Sequence, residues 1–200
     1  MRSSSSKRRH VAREAARLLY FRFASEYYEA KRQAAENLGV SVLPSNREVA
    51  VELDRLADLL EGEGRRRRMV KLRLEALRVM KALREFNPVL VGSVWRGTAR
   101  EGSDIDIRVY AEDPQEVVEK AKGNGEVVRV KEEGKEKLRK YVHVYLKTAE
   151  GITVEVVVRP PEERGLREKC EVFGDEVKGL TISELERVLR EDPCKKFIPE

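Results

Sequence analysis

Apolar residues recur every three or four positions at Ala16, Leu19, Phe23, Tyr27, Ala30, Ala34 and Leu38, the spacing that lines one face of an α-helix. Ser3 to Ser6 offer N-caps upstream and Gly39 a stop, so the pattern predicts one long amphipathic helix. At about 1.5 Å per residue such a helix is about 45 Å long and outreaches a small domain, so part of its stripe needs another helix or a second subunit. A homodimer through this helix is the expectation. After Leu43-Pro44, Ser45 and Glu48 form a reciprocal cap, and Val49, Leu53, Leu56, Leu59 and Leu60 give the next helix its apolar face before Gly62 and Gly64 end it. A third helix runs from about Arg66 to Glu85 on Val70, Leu74, Leu77, Met80 and Leu83, and Asn87-Pro88 breaks it.

Beyond Pro88 the period shortens from helix to strand. Val89 to Val91 read as a first strand, and Ile105, Ile107 and Val109 alternate with Asp104, Asp106 and Arg108, so one face is greasy and the other acidic. Asp113-Pro114 opens a helix through Ala121, and Glu126 to Val130 reads as a short edge strand. Tyr141 to Leu146 and Ile152 to Val158 flank Ala149-Glu150-Gly151, a hairpin loop with glycine at its left-handed position. Pairing Thr148 with Ile152 puts Val142, Val144 and Leu146 with Val154, Val156 and Val158 on the buried face, and His143, Tyr145 and Glu155 on the other. Thr181 and Glu184 cap a last helix, and Pro193 to Glu200 reads as a tail. The fold class is α+β, a mixed sheet packed with helices, with an all-helical region at 1–86 and the sheet-bearing domain at 87–200.

Composition narrows the class. With 40% hydrophobic and 38% charged residues, signs interspersed, the chain reads as globular and not disordered. No apolar run spans a bilayer and no apolar core follows the basic N-terminus, so no membrane partner is expected and the cytoplasm is the expected location. Cys170 and Cys194 are too far apart for a close-spaced zinc pair; whether they bond stays open. Abundant charge with scarce Asn, Gln and Cys resembles the proteins of heat-loving organisms. Lys and Arg exceed Asp and Glu by 7 over residues 1–80 and fall 2 short beyond. The densest basic point, Arg65 to Arg68, suits either a phosphate backbone or a solvated helix start.

The chemistry concentrates in Gly92-Ser93, ten further residues, then Asp104-Ile105-Asp106. Two carboxylates one residue apart on a strand point the same way and share a hard cation such as Mg²⁺, or Mn²⁺ in its place. Gly92 and Ser93 sit where a strand turns into a short helix, offering backbone N–H groups and a hydroxyl to a triphosphate. Glu155, a lone charge among β-branched residues, is the candidate third acid. Arg96 reads equally as a phosphate grip or loop solvation, and Ser103 flanks the acids as a further nucleotide-binding candidate. His143 reads as a face-filling aromatic and Trp95 as loop packing.

These residues resemble the DNA polymerase β-like nucleotidyltransferase superfamily, whose signature is Gly-Ser, then Asp-x-Asp, then a strand carboxylate. GSVWRGTAREGSDIDI and GITVEVVV are similar to the two catalytic strands of archaeal CCA-adding tRNA nucleotidyltransferases. Glu155 stands where that family usually has Asp, and no large tRNA-holding domains follow, so a minimal nucleotidyltransferase is the better comparison. The resemblance implies a two-metal transfer of a nucleoside monophosphate from a nucleoside triphosphate, ATP first, to an acceptor hydroxyl. Asp104, Asp106 and Glu155 would hold Mg²⁺ or Mn²⁺, and Gly92, Ser93, Arg96 and Ser103 the nucleotide. The basic helical region favours RNA as acceptor. A protein acceptor, as for antitoxin-type adenylyltransferases, and a non-catalytic nucleotide-binding or nucleic-acid-binding module of the same fold stay open.

Overall fold

The computed structural model describes residues 2–136 and 139–199; Met1 and Glu200, the outer ends of the expected domains and tail, lie outside them. The chain divides into two compact units, one of residues 1–65 with 169–176 and 199–200, the other of residues 66–168 with 177–198. The division falls at Arg65/Arg66, whereas the change of period pointed to 86/87.

In the first unit the expected long helix is two. Helix α1 (Arg2–Tyr20) and helix α2 (Tyr27–Asn37) are separated at Phe21–Glu26, and Ser3 to Ser6 lie inside α1 instead of before it. The break is local chemistry. Arg22 takes a left-handed conformation (φ 59°), the Phe23 amide donates to the Leu18 carbonyl at 2.9 Å and the Arg22 amide to Leu19 at 3.3 Å, the paired bonds that close a helix C-terminus. The stripe then packs on itself: Val11, Ala12, Ala15, Ala16, Leu18 and Leu19 share a core with Ala30, Ala34 and Ala35, whose small side chains let two helices approach closely. The single helix on which the expected dimer rested is absent. Helix α3 (Asn46–Ala82) starts at the expected cap: the Ser45 amide donates to Glu48 at 2.7 Å and the Glu48 amide to the Ser45 hydroxyl at 3.2 Å. It breaks at Gly62 (φ 49°, ψ −131°), so its halves are separate helices, as the glycines predict. Just past the break, the Arg65 guanidinium is buried against Asp54 (2.7 Å) and Asp58. The phosphate reading of the basic cluster therefore loses Arg65.

In the second unit the sheet order is β1-β2-β5-β4-β3, with strands β1 (Val89–Val91), β2 (Ile105–Tyr110), β3 (Glu126–Glu136), β4 (Arg139–Lys147) and β5 (Thr153–Arg159). β2 and β5 are parallel and the other neighbours antiparallel, so the sheet is mixed. The hairpin register is the predicted one, Leu146 opposite Val154 and Val144 opposite Val156, with Gly151 left-handed at φ 74°. β3 is longer than the expected edge strand.

Leu90, Ile107, Val156 and Val144 form one row of the buried face. Met69, Leu72, Ala76, Val79 and Met80 of α3 and Leu83 just past it pack on that face, as do Val117 and Ala121 of helix α5 (Pro114–Lys122) and Leu185 of helix α6 (Ile182–Glu191). Each fully buried aliphatic side chain contributes about 1.5–3 kcal/mol. The α3 stripe is rotated about one residue from that predicted: Leu74 is exposed, and Arg73 is fully buried in its place. The expected C-terminal tail is tied down, its Phe197 amide donating to the Arg96 carbonyl at 2.9 Å. Both cysteines are free. Among the described residues no helix is long and apolar enough to cross a membrane.

Candidate active site

The open face of the sheet carries the acids. β2 alternates strictly, Ile105, Ile107 and Val109 wholly buried and Asp106 and Arg108 between them on the other face. In register Asp106 lies between Val91 of β1 and Glu155 of β5, and Glu155 faces Tyr145 of β4. Parallel pairing puts the Asp106 and Glu155 Cα atoms side by side, so two carboxylates from strands far apart in sequence share one row. Asp104 precedes β2 by one residue. Burial, then the Glu155 charge, then the Asp104 charge push the Asp106 carboxyl up to about 7; desolvation and like charge both disfavour the ionised form. The three predicted acids are thus brought together electrostatically, with Asp106 in the middle.

Gly92 explains why the strand must end in glycine. It opens helix α4 (Gly92–Arg96) at φ 69°, where L side chains are rare, and a Cβ there would overlap the Asp106 carboxylate. The backbone of the turn lies directly against that acid. Ser93 follows in the first turn of α4, its carbonyl accepting from the Thr98 amide at 3.0 Å around the left-handed Gly97. Ser103 shapes the approach to Asp104: its hydroxyl accepts from the Arg100 amide and its amide donates to the Arg100 carbonyl, both at 3.0 Å.

Arg96 takes a structural place. It is 4% exposed, donates to the Phe197 carbonyl at 2.8 Å and stacks on Trp95 with its guanidinium carbon 4.4 Å from the ring centroid. The phosphate grip expected of it gives way to pinning α4, and Trp95, expected to pack a loop, packs into the core from α4.

Two residues that sequence reasoning undervalued belong to the site's frame. Arg73 donates to the carbonyls of Val94 (3.2 Å) and Trp95 (3.0 Å) in α4, and to those of Pro193 and Lys195 at 2.8 Å. Burial lowers its pKa from the ordinary guanidinium value. Its signal was an arginine spaced four from Met69 and three from Ala76 on the core stripe. His143 is the second, its Nδ1 2.6 Å from Glu155 Oε1, a contact that only register and rotamer reveal.

The donor set suits a hard divalent cation: carboxylate oxygens alone, crowded enough to hold one acid partly protonated, with bare backbone against them at Gly92. Side chains as they stand do not enclose a finished site, since among the described residues no three His, Cys, Asp or Glu surround a common point. The chemistry fits, and Asp104, Asp106 and Glu155 are the residues that would hold the ion.

Residues 75–186, more than half of the chain, match the family model described as "Nucleotidyltransferase domain". No curated protein matches the chain.

Proposed function

Because this chain belongs to the nucleotidyltransferase domain family, we propose that it transfers a nucleoside monophosphate from a nucleoside triphosphate to an acceptor hydroxyl and releases pyrophosphate. The observation that carries this reading is Asp106, raised to about 7 between Glu155 and Asp104 with Gly92 against its carboxylate. Mg²⁺ or Mn²⁺, when bound, lowers the pKa of the attacking hydroxyl and neutralises the triphosphate and leaving group. Asp104, Asp106 and Glu155 would hold one ion, and Asp104 with Asp106 the other. Gly92 N–H and the Ser93 hydroxyl orient the triphosphate for in-line attack, while Ser103 fixes the turn that delivers Asp104. Arg73 and Arg96 keep α4 in place from behind.

The test is transfer of label from an α-labelled triphosphate, ATP first. Asp104→Ala and Asp106→Ala each abolish transfer while circular dichroism stays unchanged. Metal-dependent transfer retained in both variants would sink the assignment.

RNA is the acceptor favoured here, because α1 exposes Lys7, Arg8 and Arg9 with no acidic residue in its first turn, and exposed cations release counterions from a phosphate backbone. A protein acceptor is the second reading, favoured by Phe21, Phe23 and Tyr28, which are 49%, 65% and 65% exposed. Incubation with total RNA and cell protein, followed by asking which fraction carries the label, separates them. A module that only binds nucleotide would hold ATP and release no pyrophosphate.

A further inference from the structure

The Glu155 carboxylate is held from the neighbouring strand. Tyr145 stands directly opposite it in β4, and His143, two residues along the same face, reaches it diagonally. His143 Nδ1 lies 2.6 Å from Glu155 Oε1, with the two side chains 16% and 24% exposed. A carboxylate only accepts, so Nδ1 is the donor.

The imidazole is itself fixed. Its ring stacks on Tyr145, centroids 6.4 Å apart and planes 19° from parallel, and the Arg129 guanidinium carbon lies 4.6 Å from the Tyr145 ring centroid. Arg129, Tyr145 and His143 form a rack across β3 and β4 that ends on Glu155.

Glutamate has one more rotatable bond than aspartate, so its carboxylate sweeps a wider volume, and ordering it costs conformational entropy. Carboxylates that ligate metals are themselves hydrogen-bonded, and those partners set their orientation. We propose that His143, its ring plane set by Tyr145, is a positioning residue that holds Glu155 Oε1 and so directs the other carboxylate oxygen to the cation shared with Asp104 and Asp106. The inference rests on the metal-dependent reading above.

Mn²⁺ alone is the probe, its binding to the whole chain read from loss of the free-ion electron paramagnetic resonance signal, with no nucleotide present. His143→Ala weakens binding about 10- to 100-fold and leaves the melting temperature of the metal-free chain unchanged. His143→Asn, whose amide nitrogen occupies the place of Nδ1, restores binding. In a Glu155→Asp background His143→Ala adds nothing, because the shorter carboxylate no longer reaches the imidazole. In label transfer kcat falls with KM for the triphosphate unchanged. Equal Mn²⁺ affinity in His143→Ala and the unsubstituted chain, with binding still lost in Asp106→Ala, would overturn this inference and leave the metal-dependent reading standing. No Mn²⁺ binding by the unsubstituted chain would overturn both.

Discussion

Helix α3 carries two buried arginines, one in each compact unit, and only one of them has carboxylate partners. Arg65 is 4% exposed and meets carboxylates, Asp54 at 2.7 Å and Asp58, besides the Asp54 carbonyl at 3.0 Å. Arg73 is wholly buried and hydrogen-bonds to backbone carbonyls of Val94, Trp95, Pro193 and Lys195. The first is a local ion pair within a helical unit. The second spends its charge on backbone dipoles and holds α4, and with it the Gly92 turn, against the acids. Side-chain partners can be exchanged for apolar ones, whereas backbone carbonyls cannot be substituted away.

That difference sets the size of the effects. Arg73→Met removes a donor from four carbonyls and lowers stability by about 3–5 kcal/mol, read by urea denaturation; no second apolar substitution recovers the loss. Arg65→Met removes the ion-pair partner of the Asp54 carboxylate and costs about 3 kcal/mol. Adding Asp54→Leu returns stability to within about 1 kcal/mol of the unsubstituted chain, because a well-packed apolar pair replaces a buried ion pair at little net cost. Failure of that rescue would erase the distinction between the two arginines.

Gly92→Ala forces a side chain into a left-handed position against Asp106. The backbone strain costs about 1–2 kcal/mol, and displacement of the acid by about 1 Å lowers transfer about 100-fold. A stability loss without a loss of transfer would separate the turn from the chemistry.

The remaining effect is a pH dependence. Asp106 sits at about 7 against an ordinary 3.8, so the folded metal-free chain keeps a proton that the unfolded chain releases between those values. The stability linked to that proton is complete below pH 3.8 and lost as pH rises to about 7. Thermal melting without metal should fall across that window and flatten above it; Asp106→Asn should remove this component of the slope.

Local chemistry made much of the molecule readable. Asp104, Asp106 and Glu155 stood out because a strand alternates its faces, and the hairpin register followed from the Ala149-Glu150-Gly151 loop. The caps at Ser45 and Thr181 were readable for the same reason, Thr181 and Glu184 bonding reciprocally as predicted. The break at Phe21–Glu26 was not, since Arg22 carries no glycine-like signal for its left-handed backbone, and periodicity continues across the turn into a helix that folds back. The α3 face was misjudged for a related reason. Leu74 extends the three-four spacing as well as Leu72 does, and only the position of the sheet decides which of them is buried.

The sequence alone determined which strands the chain forms, which faces are greasy and which three acids stand on the polar one, because dihedral preference and alternation act over a few residues. Tertiary structure decided that Asp106 and Glu155 are neighbours, that His143 holds Glu155 and that Arg73 pins α4. Those contacts join residues distant in sequence, and their geometry depends on strand order and rotamer, which no local pattern encodes.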